Sequence, residues 1–118
     1  MNVAEGVKRV LDGEPIRVLA AGYRQGLLVA MGLDPAEADR RTFAKDTSLY
    51  VNKVCRELGD RHPGDHRALV ALMDWARVAE DYEVWDALLS YFDFDGKEAF
   101  VRRGRVLFPG PMTSHWDE

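Results

Sequence analysis

Ser48, Asn52, Lys53 and Arg56 carry the strongest chemical promise in this chain: four polar side chains read as the outward stripe of a short helix, 48–58. Asn, Arg and Lys are the residue types that hydrogen-bond base edges in pairs. Arg40, Arg41 and Lys45, just upstream, suit phosphate contacts, which fix register without reading sequence. A second grouping is acidic: Asp74, Glu80, Asp81, Glu83, Asp86, Asp93 and Asp95. It would face a basic protein partner, because complementary charge speeds and selects such encounters; a solvated face explains the same residues. A third grouping, Asp60, His62, Asp65 and His66, has the ligand types of a zinc site. Pro63-Gly64 lies between the histidines, however, so they do not share a helix face, and Asp65 is placed to cap the helix that follows.

Other motifs fail on spacing or context. Asp93-Phe-Asp95-Gly96 has the look of a calcium loop, but with Gly96 in the sixth place the first and twelfth fall on Tyr91 and Arg102, where acidic ligands are required. Cys55 falls on an inward stripe, where a thiol behaves as a small hydrophobe. Nucleophile elbow, phosphate loop, dinucleotide fingerprint and paired-histidine metal helix are all missing from the sequence. These readings point to a non-enzymatic protein without a cofactor.

The elements that must position these residues are helices. Of 118 residues, 47% are apolar and 31% charged, the balance of one globular domain. Charge is unevenly spread: residues 40–73 hold seven Lys and Arg against four acids, and residues 74–98 hold two against eight. His66–Phe92 is the most apolar regular stretch. Leu69, Leu72, Met73 and Ala76 repeat at helical spacing, widened by Trp75, Val78 and Ala79, and Val84, Trp85, Leu88, Leu89 and Phe92 repeat after the polar Glu80-Asp81. The spacing predicts a helical hairpin that serves as backstop for the rest.

Upstream, residues 2–12 read as an amphipathic helix with Val3, Val7, Val10 and Leu11 inward, stopped by Gly13. A second helix runs from Pro15 to about Met31, with Ile16, Leu19, Ala20, Tyr23, Leu27, Ala30 and Met31 inward. Gly22, Gly26 and Ala30, four apart, predict tight internal packing of that helix. Asp34-Pro35 predicts a capped third helix to about Ala44. Asp46-Thr47 predicts the cap of the fourth, with Tyr50, Val51, Val54, Cys55 and Leu58 inward and Gly59 as its stop. Asp95 through Glu98 reads as a capping box for a last helix ending at Gly104, followed by an extended strap, 106–108, and a flexible tail, 109–118, in which Trp116 could dock. The expected fold is all-α: a compact single-domain bundle of about six or seven short helices, 1–108, with an extended C-terminal tail.

The stretch TFAKDTSLYVNKVCREL (42–58), followed by a link and the pair WARVAEDYEVWDALL, resembles small phage-type helix-turn-helix regulators over about residues 43–92. Ala44 to Val51 is three residues shorter than that family's spacing, and the turn glycine is absent. A second frame, LLVAMGLDPAEADRR (27–41), has the glycine, Gly32, but puts Arg41 at a buried place. The resemblance implies a phage or bacterial DNA-binding transcriptional regulator using Arg40, Arg41, Lys45, Ser48, Asn52, Lys53 and Arg56. A homodimer is expected with it, since one short helix reads few bases. The alternative is an adaptor, inhibitor or immunity-type protein that binds a basic protein through the acidic residues. A single cysteine suits a reducing cytoplasm, and no secretory signal is visible. The apolar run 18–33 contains Arg24 and falls short of the roughly 20 residues needed to span a bilayer, so no membrane association is expected.

Overall fold

A computed structural model describes residues 1–78 and 80–117, leaving aside the side chains of Val78, Glu83 and Asp117. Ala79, Val78 and Glu83, which carry part of the expected apolar face and acidic patch, therefore lie outside the described residues or side chains. Among those described, all the regular structure is helical: α1 (Val3–Leu11), α2 (Ile16–Ala30), α3 (Ala44–Arg61), α4 (His66–Val78), α5 (Tyr82–Tyr91), α6 (Lys97–Leu107) and a terminal 3₁₀ helix (Pro111–Asp117). No helix among these residues is long and apolar enough to cross a membrane. The body is flat, with extents of 45 × 31 × 17 Å. Its thin dimension is less than two helix diameters of about 10–12 Å, so several helices keep one face against solvent.

The expected α4–α5 hairpin forms, with Ala68, Leu72 and Ala76 buried on α4 and Val84, Trp85, Leu88 and Leu89 on α5. Asp65 caps α4 as its position implies: its Oδ1 accepts the backbone N–H of Arg67 at 2.9 Å and of Ala68 at 3.4 Å. The hairpin is not the hub, however. That place belongs to α3, which packs against α1, α2, α4 and α5. Its buried residues, Tyr50 to Gly59 with only Lys53, Arg56 and Glu57 left out, cover about 200° of its circumference at about 100° per residue. A surface helix commonly buries an apolar stripe little wider than about 100°; α3 buries about twice that because it has neighbours on several sides.

Two expected helix stops prove to be helix contacts. Gly59 lies within α3, and a Cβ there would collide with the Tyr91 side chain of α5. Gly104 lies within α6, and a Cβ there would collide with the Trp116 ring. In both cases glycine is present for close approach, not for a turn. The segment 106–108 is correspondingly not a strap, since α6 continues to Leu107.

Further expectations are corrected. Residues 35–43 form turns, not a helix. Asp34 and Asp39 each accept a backbone N–H two residues ahead, from Ala36 at 2.9 Å and Arg41 at 3.1 Å, and such local bonds compete with helical ones. Phe43 then adopts a left-handed conformation, φ 59°, and α3 starts directly after it, ahead of the Asp46-Thr47 pair. The capping box at Asp95 is absent too: Gly96, at φ 84°, occupies the N-cap of α6, without a side-chain cap bond. Finally, Gly22, Gly26 and Ala30 face solvent, and a Cβ on either glycine would meet nothing within 4 Å. Met31 is also outward, at 66% exposure.

The C-terminal segment is docked. Trp116 is 6% exposed and stacks on Tyr82 with ring centroids 5.9 Å apart. Its indole N–H donates to Asp86 Oδ1 at 3.0 Å, and the Tyr82 hydroxyl donates to the Met112 carbonyl at 2.9 Å.

Candidate nucleic-acid interface

The exposed side of α3 is what its buried arc leaves over. Taking Lys45 as origin and about 100° per residue, Arg56, Leu49, Asp60 and Lys53 all fall within about 80°, and all are exposed. Lys45 to Arg56 spans about 16 Å along the axis at about 1.5 Å per residue. Arg40 and Arg41, in the turn leading into α3, are exposed as well. None of these five basic side chains has a hydrogen-bond or ion-pair partner among the described residues. Asp46 and Asp60 lie exposed on the same helix, so the strip is basic by a modest margin. The turn that carries Arg40 and Arg41 is held to α2 by Arg24, whose guanidinium donates to the carbonyls of Thr42 at 3.0 Å and of Asp39.

Two of the seven expected DNA-binding residues are elsewhere. Asn52 is 5% exposed. It falls only about 20° from Lys45 on the helical wheel, but on the side that the neighbouring helices cover. The residue is engaged inside the protein and is not presented to a base edge. Ser48 is half-buried, and its hydroxyl donates to Asp81 Oδ2. The structure therefore leaves Lys45, Lys53 and Arg56 on one exposed strip of α3 and Arg40 and Arg41 exposed in the turn before it, and withdraws Ser48 and Asn52. Leu49, 45% exposed in the middle of the strip, was not among the expected contacts; its place between the two stripes was the signal for it.

Most of the acidic grouping is occupied internally. Asp74 pairs with Arg77 at 3.2 Å and Glu80 with Arg103 at 3.7 Å, and Asp81 accepts from Ser48. Asp86 accepts from Trp116, from Ser90 at 3.2 Å and from the His115 ring at 2.6 Å. Burial alone would raise the Asp86 carboxyl. The bonds from Trp116 and His115, with the His115 charge and Ser90, outweigh that and hold it below the usual carboxylate range. Asp93 and Asp95 are exposed with no side-chain partner among the described residues.

The remaining candidates are not assembled into sites. His62 lines a small groove with Val3 and Val7, whereas His66 lines a larger one with Trp75. Asp65 is used as the cap, and its carboxyl is lowered mainly by the bond from the Arg67 side chain. No cluster of three or more metal-ligating residues occurs among those described. Cys55 is completely buried, and desolvation, aided by the Asp81 charge, pushes its thiol up to about 12, so it is not a ready nucleophile. The larger groove, between the α1–α2 turn and α4, escaped the sequence because its walls come from residues 10–17 and 66–77, which no spacing rule connects. Compared with family models, with curated proteins and with solved structures, this chain matches none.

Proposed function

We propose that this chain is a small non-enzymatic DNA-binding regulator that grips the phosphate backbone through Arg40, Arg41, Lys45, Lys53 and Arg56. The observation that supports this reading is the contrast in charge pairing. The five basic side chains point to solvent unpartnered among the described residues, while Asp74, Glu80, Asp81 and Asp86 are engaged within the protein. An anionic partner therefore finds five uncompensated cations here, whereas a basic partner finds only Asp93 and Asp95 unpaired among the described side chains of the acidic grouping. Because Asn52 is turned inward, recognition rests on phosphate geometry and DNA shape more than on base edges. A homodimer would present two such strips and lengthen the contact.

The test is the salt dependence of binding. Five phosphate contacts give a slope of about −4.5 in log affinity against log salt, hence a loss of about 500-fold between about 50 and 200 mM. Fluorescence anisotropy on a labelled duplex of about 20 base pairs measures both. Lys53→Ala with Arg56→Ala should reduce the slope to about −2.7 while the fold stays intact. Binding that is unchanged in the double variant, or whose slope is shallower than about −1 in the native chain, would remove the strip from the interface.

A further inference from the structure

Beyond the α3 strip, we propose that the groove between the α1–α2 turn and α4 binds a small amphipathic organic acid, its flat apolar body against Trp75 and its single anionic group at Arg17. The groove encloses about 770 Å³, within the about 300–1,000 Å³ typical of small-molecule sites. Its apolar wall combines the buried Val10 and Ile16, the half-buried Ala71 and Trp75, and Val70, which is 40% exposed.

Three polar groups on the groove are left over after internal pairing. The Trp75 indole N–H is buried with no acceptor, and Glu14 Oε2 is buried with no donor. Arg9 lies 3.9 Å from Glu14, an ion-pair distance too long for a hydrogen bond. Both atoms are enclosed by protein and burying either unmet is costly; a small side-chain shift that brings them to the groove would let a ligand supply an acceptor to one and a donor to the other. The third is Arg17, exposed and without a side-chain partner among the described residues. The other rim charges are neutralised, Arg67 by Asp65 at 3.3 Å and Arg77 by Asp74 at 3.2 Å. One uncompensated cation calls for one anionic group. The carboxylate of Glu14 on the same wall would repel a ligand carrying several phosphates.

Anilinonaphthalene sulfonate has the required parts: fused rings, an N–H donor and one anionic acceptor. Its neutral parent, phenylnaphthylamine, keeps the rings and the N–H and lacks the sulfonate. Titrated into the full chain, the sulfonate should bind one to one and shift the Trp75 indole cross-peak in a proton–nitrogen correlation spectrum, while those of Trp85 and Trp116 hold. The neutral parent should bind about tenfold more weakly or worse, and Arg17→Gln should abolish that difference. Val70→Trp, a substitution at a partly exposed position, should exclude both probes with the melting curve unchanged. A stationary Trp75 peak, equal affinity for the two probes, or undiminished binding by the folded Val70→Trp variant would each overturn the proposal. The salt slope of DNA binding reads a different surface, so failure of one reading leaves the other standing.

Discussion

Trp116→Ala tests how the C-terminal segment is held. A buried tryptophan removes about 150–250 Å² from water, which at about 25 cal/mol per Å² corresponds to about 4–6 kcal/mol. That figure is an upper bound, because an unfolded chain already shields part of its apolar surface, and measured Trp→Ala losses in cores run at about 3–5 kcal/mol. The substitution also removes the 3.0 Å indole bond to Asp86 and opens the hollow over Gly104. Two effects work the other way. Asp86 regains water once the segment lifts, and the freed backbone of Pro111–Asp117 recovers entropy. The expected net loss is about 2–4 kcal/mol. Urea unfolding followed by circular dichroism should show both a lower midpoint and a smaller slope, since a chain whose end is already undocked exposes less surface on unfolding. Trp116→Phe keeps a ring over Gly104 and loses only the donor, so about half the effect or less should remain. A change below about 0.5 kcal/mol for Trp116→Ala, or equal losses for Ala and Phe, would refute the claim that ring packing at Gly104 secures the segment.

Four further outcomes are expected. Asn52→Ala should cost about 1–3 kcal/mol by removing a buried polar side chain that is engaged inside the protein, while Lys53→Ala stays within about 0.5 kcal/mol; thermal melts of the two variants should show that order. Gly22→Ala and Gly26→Ala should each stabilise by about 0.5–1 kcal/mol, as both lie mid-helix facing open space, whereas Gly59→Ala should destabilise by about 1–3 kcal/mol through its collision with Tyr91. Cys55, with its thiol pushed up to about 12, should resist a thiol reagent at about pH 8 until denaturant opens the fold; its raised value also makes stability fall as pH climbs above the unfolded thiol value of about 8.5. Asp86 has a lowered carboxyl, so it contributes stability above the unfolded carboxylate value of about 3.9 and loses it as pH falls through the folded one. Acid titration followed by tryptophan fluorescence should show the C-terminal segment loosening below about pH 4, and Asp86→Asn should remove that transition.

Much of the fold was legible because helical spacing is a local property. Val84, Trp85, Leu88, Leu89 and Phe92 all prove buried, since a run of large apolar residues on a 3.6-residue period has one stable arrangement. Asp65 was readable as a cap from its own position and the helix after it. Residues 35–43 were misread because their cap signals were real but led only into short turns, with the Arg24 side chain, eighteen positions back from Thr42, holding that path. Gly59 and Gly104 were misread because a glycine that ends a helix and a glycine that admits a neighbouring ring look alike in one dimension. Gly13 and Asp65, by contrast, needed no distant partner to do what was expected of them.

By itself, then, the sequence determined that the chain is all-helical, where most of its helices lie, and the angular order of side chains around each axis. Tertiary structure decided how wide an arc of each helix is covered. That width depends on how many neighbours pack against it, which is why Asn52 went inside while Lys45, about 20° away on the same helix, stayed in water, and why α3 became the centre and not an outlying rod.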